Sequence, residues 1–398
     1  MAEYKLRGKF DEGIHNPTRT NHRNTLCKAI TEEDILMNSS HSSLRQFLVI
    51  LNCAVILTLF AMFFQLRTFG DVYRDKTFEE SYYYFLEKGY QYEGHMNVIN
   101  GTAGSPWRYR LFAEVVVELL INLFDRLNVP HPIANGFIII RFLQGILVIT
   151  LAGLYYRLLS LNFYLVLSGL LMLAWSISYS LYNSDLSPNT FFDLAFYLLA
   201  VVLVFKRAEI LVIPLMVFAA LNRETSVLIP VIVVSACYWR DAREIPKFRF
   251  STDLFSWTKI ELMRCHRLLI VAGLSFVVYW TVFILLRITI PPGPFATPYN
   301  ISPGLPLLIF NLTSYNTWMF IIATLSIIPL LAIFLYTFWP PSIKMFFWII
   351  VPVWFGVHLL FGIFAETRLF LVPQAVVFIP GFLAGLQNHL AVIIKAES

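Results

Sequence analysis

The chain has 398 residues, 58% of them hydrophobic and only 14% charged, a composition that excludes both an ordinary soluble domain and a disordered one. Repeated apolar runs near the 20 residues a helix needs to cross a bilayer predict an all-α, polytopic transmembrane bundle of about ten spans. The net charge of +5 comes mostly from short basic segments that membrane topology accounts for, so no nucleic-acid partner is read from it.

In chain order, residues 1–45 are polar and mixed in sign, with no short apolar core followed by a small-residue cleavage site. They read as a cytosolic tail, with the first span directing insertion. The expected spans are Gln46–Leu66, Phe137–Tyr156, Phe163–Leu181, Thr190–Phe205, Ala208–Leu221, Thr225–Trp239, Arg267–Thr289, Thr317–Phe338, Met345–Phe364 and Leu369–His389. One transmembrane domain, 46–389, therefore carries an outer loop at 67–136 and a cytosolic loop at 240–266, and 390–398 reads as a second cytosolic tail. No fixed-period repeat or long linker divides it.

Orientation follows from the loops. Arg240, Arg243, Lys247, Arg249, Lys259, Arg264 and Arg267 crowd one connection, Lys206 and Arg207 a second and Lys344 a third, whereas Pro291 to Asn316 holds no Lys or Arg. Basic loops stay in the cytosol, so both termini are expected there and the turns after the first, third, fifth, seventh and ninth spans face outward. This parity requires Leu111 to Asn128 not to cross. Glu114, Glu118, Asn122 and Asp125 recur at spacings of four, four and three, on one face of a helix whose other face is Val, Leu, Ile and Phe. Such a helix suits the interface. The alternative is a span whose acids turn into the bundle, at roughly 2.5 kcal/mol or more for each charge near the bilayer centre.

The polar residues left at span edges gather on the outer face. Asp71 follows the first span by five residues, where partial desolvation and a neighbouring arginine would suit a carboxylate to general-base work; a solvated helix cap explains it equally simply. Glu79 and Glu80 beside Tyr82, Tyr83 and Tyr84 are an ordinary interfacial cluster. Trp107-Arg108-Tyr109-Arg110 sets two guanidiniums among rings at headgroup height, suited to phosphate by their planar fork or to plain snorkelling. Asn222-Arg223-Glu224-Thr225 and Ala365-Glu366-Thr367-Arg368 pin charges in tight turns between apolar runs, and Asn183 to Pro188 adds Asp185. Charges held among helices are usually paired or functional.

Several chemistries leave no trace. There is no G-x-x-x-x-G-K-[ST] loop, no D-x-D pair and no H-E-x-x-H. His131 reads as a turn residue, His358 as a satisfied core histidine, and Cys27, Cys53, Cys237 and Cys265 as structural. Asn38, Asn100, Asn300 and Asn311 begin N-x-[ST] sequons, which chance also produces.

An acid just past the first span, a long first outer loop, Trp107-Arg108-Tyr109-Arg110, the Asn183 to Pro188 turn, Asn222-Arg223-Glu224-Thr225, and Glu366 with Arg368 together resemble the GT-C superfamily of multispan membrane glycosyltransferases. The resemblance implies a hexosyl or pentosyl transfer from a polyprenyl-phosphate lipid donor to an acceptor on the outer or lumenal face. It implies that Asp71 is the catalytic carboxylate, as a base or as the ligand of a divalent metal ion. Arg223 and Arg368, with Arg108 and Arg110, would bind the lipid phosphate, and Asp185, Glu224 and Glu366 would complete the substrate site. The sequence departs from many members in carrying no soluble C-terminal domain and no clear second acid in its first loop. Besides membrane lipids, partner subunits of a membrane complex are the other associations the reading allows. The competing readings are a non-catalytic accessory subunit and a lipid or solute transporter; against the latter stand the one-sided polar groups and the lack of a repeat.

The topology is checked by cysteine accessibility. Ser105→Cys and Asn135→Cys are expected to label from outside and Ser251→Cys only after permeabilisation; labelling of the first two from opposite sides would make Leu111 to Asn128 a span.

Overall fold

The computed structural model describes residues 44–64, 86–180, 186, 188–240, 265–294 and 301–397. All regular structure among them is helical: α1 (Leu44–Phe64), α2 (Tyr90–Ile99), α3 (Leu111–Arg126), α4 (Pro132–Leu158), α5 (Phe163–Tyr179), α6 (Pro188–Phe205), α7 (Glu209–Asn222), α8 (Glu224–Trp239), α9 (His266–Thr289), α10 (Leu305–Thr313), α11 (Tyr315–Leu325), α12 (Ile328–Phe334), α13 (Pro341–Phe361) and α14 (Thr367–Ala396). The chain is a multi-pass helical membrane protein. Six helices, α1, α4, α6, α9, α13 and α14, are long and apolar enough to cross, or seven if the bent pair α10 and α11 is one crossing. The expected ten is not reached on length, because α5, α7 and α8 are apolar but short.

The core is shared by most of the helices, with α4 and α6 packed together at its middle, and Tyr155, Tyr156, Phe191 and Tyr197 from these two are buried in it. α1 reaches α4 closely because Gly145 and Gly153 carry no Cβ; one added at Gly145 would run into Thr58, and at Gly153 into Ile50. The last span changes gait at its centre, where Gln374–Phe378 forms a π turn. A π turn disturbs the regular ladder of carbonyl bonds, and here Tyr155 and Tyr156 donate their hydroxyls to the Val376 and Ala375 carbonyls at 2.9 and 3.0 Å.

Two boundaries depart from the hydropathy reading. Thr317–Phe338 is not one helix. α11 stops at Ser326, whose φ of 55° is left-handed, and α12 restarts with Pro329 in its first turn, a position where proline's missing N–H costs nothing. Upstream, Ser314 caps α11 by accepting from the Thr317 amide at 3.4 Å, and α10 meets α11 at a 70° bend. At the other end α14 runs past His389 to Ala396, so the expected tail at 390–398 is helical where described. Asn311 is also no glycan acceptor in this fold. It is fully buried, donating to the Leu359 and Gly362 carbonyls at 3.1 and 2.8 Å and accepting from the Phe364 amide at 3.0 Å.

α3 is the amphipathic helix expected from its stripe, but the stripe meets protein. Ala113, Val117 and Ile121 are buried, Val115, Leu119 and Leu123 are exposed, and the acidic face turns onto α2. There His95 is buried between two carboxylates, its Nδ1 2.7 Å from Glu114 Oε2 and its Nε2 2.9 Å from Glu118 Oε2, with the edge of Phe137 against its ring. A neutral imidazole has one N–H, so only the imidazolium can donate to both acids. Burial lowers the His95 pKa, but the hydrogen bonds to Glu114 and Glu118 and their charges outweigh it, and the net shift is upward. A raised folded-state pKa gives stability that is complete below the unfolded value near 6.5 and is lost as pH rises through the folded value. The thermal midpoint advantage of the parent over His95→Asn is therefore expected to shrink as pH is raised from 6 to 9; an advantage that grows with pH would contradict the cationic clamp.

Candidate functional site

The site is built where three connections converge. The first is the 3-10 turn Trp107–Tyr109, which delivers Arg110 to the start of α3. The second is the turn between α7 and α8, where Arg223 leaves the helix with extended φ and ψ of −161° and 146°. The third is the 3-10 entry to α14, Thr367–Phe370, preceded by Glu366.

Each supplies one arginine, and each arginine meets an acid. Arg110 donates from Nε and Nη2 to Glu224 Oε2 at 3.3 and 3.1 Å, with the Trp107 ring 4.5 Å from its guanidinium. Arg223 Nη1 lies 3.8 Å from Asp193 Oδ2 and donates to Thr190 Oγ1 at 3.3 Å. Arg368 Nη2 donates to Glu366 Oε2 at 3.2 Å. All three guanidiniums are buried. They also lie within electrostatic reach of one another: Arg110 and Arg368 meet Arg223 as like charges, Asp193 and Glu224 as opposite ones. With Glu366 on Arg368, the cluster gathers three guanidiniums and three carboxyl groups.

The backbone of the middle turn is fixed by its neighbours. Tyr197 of α6 donates to the Thr225 carbonyl at 2.5 Å, Tyr279 of α9 to the Glu224 carbonyl at 2.9 Å and Ser226 to the Arg223 carbonyl at 2.7 Å. Asn222 Nδ2 donates to the Asn189 carbonyl at 2.8 Å, and Thr225 Oγ1 to Asp193 Oδ2 at 3.0 Å. Beneath lies Trp354, with its ring edge on Tyr197 and its Nε1 giving a 2.6 Å bond to the Leu369 carbonyl. His358 accepts a place in the same layer with Nδ1 2.7 Å from the Trp354 carbonyl. The backbone that carries Arg223 and Glu224 is thus held from α6 and α9.

Of the residues singled out from sequence, Arg110, Arg223, Glu224, Glu366 and Arg368 come together. Arg108 takes another job: its Nη2 donates to the Gly101 carbonyl and its guanidinium packs on Gly293, closing the Ser105 amide onto the Pro294 carbonyl at 2.9 Å. Asp71 and Asp185 lie outside the described residues, as do Glu79, Glu80 and the tyrosines beside them. Among the described residues no cluster of His, Cys, Asp and Glu has the arrangement of a metal site. His131 stands at the N-cap position of α4 without a side-chain capping bond, its Nδ1 3.1 Å from Glu87 Oε1.

Sequence reasoning passed over Asp193, Asn189 and Thr190 in α6 and Arg141 and Gln144 in α4. All five are buried; Arg141 lies 3.1 Å over the Phe191 ring and Gln144 donates to the Pro188 carbonyl at 2.7 Å. The missed signal was simple, since an ionisable residue inside an apolar run is a site candidate by itself. No protein-family model, curated protein or solved structure matches this chain.

Proposed function

We propose that the protein is a membrane glycosyltransferase of the GT-C kind, moving a sugar from a polyprenyl-phosphate carrier to an acceptor at the extracytoplasmic or lumenal face. The observation that carries the reading is the convergence of Arg110, Arg223 and Arg368, from three connections far apart in sequence, into one buried group with clamped geometry. Planar guanidiniums give phosphate two parallel hydrogen bonds each, and a lipid phosphate is the anion that arrives among helices with its tail in the bilayer.

In this reading the six long helices, the three short apolar helices and the broken segment from α11 through α12, which passes Thr367 and ends beside Asn388, make ten crossings, with both termini cytosolic. α7 and α8 are about 21 and 24 Å long, against roughly 30 Å of hydrocarbon, so the turn at Arg223 lies below headgroup level. Irregular backbone at that depth is tolerated where protein covers it or a cavity adjoins it. The donor phosphate would be drawn down to the turn, its sugar held beside it, and Asp71 would supply the base that takes the proton of the acceptor, alone or through a divalent ion. Glu224 and Glu366 orient their arginines.

A non-catalytic subunit whose ion pairs only tie helices together is the competing reading, favoured by the pairing of every arginine in the group. Two substitutions separate them. Arg223→Lys keeps the charge but not the fork, so copurifying polyprenyl phosphate is expected to fall clearly below the parent; unchanged lipid in both Arg223→Lys and Arg223→Ala would remove the phosphate site. Asp71→Asn keeps the shape and removes the base, so sugar transfer should drop by about 10²-fold or more with lipid binding retained. A folded Asp71→Asn protein transferring at the parent rate would take Asp71 out of the mechanism, and a parent inactive with every polyprenyl-phosphate sugar tested would favour the subunit.

A further inference from the structure

Three polar atoms at the middle turn make no hydrogen bond among the described residues: Asp193 Oδ1, Asn222 Oδ1 and Arg223 Nε. Their residues are 1%, 0% and 5% exposed, which makes each orphan costly unless a ligand or water meets it. None is free to turn away. Asp193 is held through Oδ2 by Thr225, Asn222 is held through Nδ2 on the Asn189 carbonyl, and Arg223 is held through Nη1 on Thr190. The carbonyl partner also settles the Asn222 amide, since only its nitrogen can donate there, leaving its oxygen as the unpaired atom.

The set is two acceptors beside one cationic donor, and that combination restricts the ligand. A bare phosphate offers only acceptors at neutral pH, so it satisfies Arg223 and is repelled by Asp193. A headgroup with an ammonium beside its phosphate offers donors, but it would bring a fourth cation next to Arg110, Arg223 and Arg368. Neutral hydroxyls beside a phosphate fit both demands. Asp193 Oδ2 and Arg223 Nη1, both already partnered, lie 3.8 Å apart, so the two side chains are neighbours and a ligand that meets both carries its hydroxyl close to its phosphate.

We infer that Asp193, helped by Asn222, reads the sugar hydroxyl adjacent to the anomeric phosphate of the lipid donor while Arg223 holds that phosphate, so that the protein selects donors with a free 2-hydroxyl. The inference rests on the proposed function and adds to it a specificity residue and a substrate feature. A site built to pair a hydroxyl rejects the analogue that lacks it, because its own buried groups are then left unpaired.

Native mass spectrometry of the full chain in detergent tests this with four lipids: polyprenyl phosphate, a polyprenyl phosphohexose, the 2-deoxy form of that phosphohexose, and phosphatidylethanolamine. The parent is expected to bind the phosphohexose about 10-fold or more tighter than the other three, the range for one hydrogen bond to a charged group. Asp193→Asn, whose amide nitrogen cannot accept from the hydroxyl, should shrink that gap; because Asp193 also faces Arg223, the gap is read within the variant as the phosphohexose against its 2-deoxy form. A gap that survives undiminished in Asp193→Asn overturns the role of Asp193. Equal binding of all phosphate lipids by the parent, or phosphatidylethanolamine bound as tightly as the phosphohexose, overturns the inference and leaves the phosphate site standing. A parent that binds no polyprenyl lipid removes the proposed function and the inference together. Should Asp193→Asn fail to fold, the parent's comparison of phosphohexose with its 2-deoxy form decides.

Discussion

A guanidinium taken out of water among helices must be met by an acid and by oriented acceptors, and that requirement shapes the end of the bundle where Arg223 sits. Born-type desolvation of such an ion costs several kcal/mol even after relaxation, and one anion at good geometry only roughly offsets it. Arg223 is accordingly met by Asp193 from α6, by Thr190 one turn earlier, and by a backbone held from α6 and α9. The neighbouring Arg110 and Arg368 carry acids of their own, Glu224 and Glu366. Replacing such a network by packed apolar side chains is often neutral or stabilising, so its presence argues for a use beyond holding helices. The unpaired Asp193 Oδ1, Asn222 Oδ1 and Arg223 Nε sharpen that argument, because a purely structural network tends to close on itself.

α7 is bracketed by ion pairs, Glu209 with Arg240 at 3.2 Å and Arg267 at 3.7 Å where it begins and the Arg223 turn where it stops. The Glu209 pairs hold its start, and the turn at its end packs against α6, α9 and α13. Both ends of this short apolar helix are thus tied to its neighbours by charge.

The sequence disclosed this end of the bundle unevenly. Arg223, Glu224, Glu366 and Arg368 were visible because each interrupts apolar runs within a four-residue turn, and hydropathy marks such interruptions sharply. Asp193 was not, since a single acid in the run from Thr190 to Phe205 barely lowers its mean hydropathy, and its partner lies 30 residues on. Arg108 and Arg110 looked equivalent in Trp107-Arg108-Tyr109-Arg110, yet one folds back on Gly101 and Gly293 while the other reaches Glu224. Residue spacing carries no record of a contact across more than a hundred residues. The stripe on α3 was legible as a periodicity, but a stripe of acids looks alike whether water or His95 faces it. The break at Ser326 escaped because apolar residues lie on both sides of it, and hydropathy averages across a change of direction.

Under the proposed function, one lipid phosphate touches all three arginine-bearing connections at once. Photocrosslinking with a polyprenyl phosphate carrying a diazirine on the carbon nearest the phosphate tests this directly. The account predicts labelled peptides that include Arg110, Asp193, Arg223 and Arg368, with labelling lost when unmodified polyprenyl phosphate is added in excess. Labelling spread over the exposed faces of α1, α9 and α13 and indifferent to that competitor would contradict it.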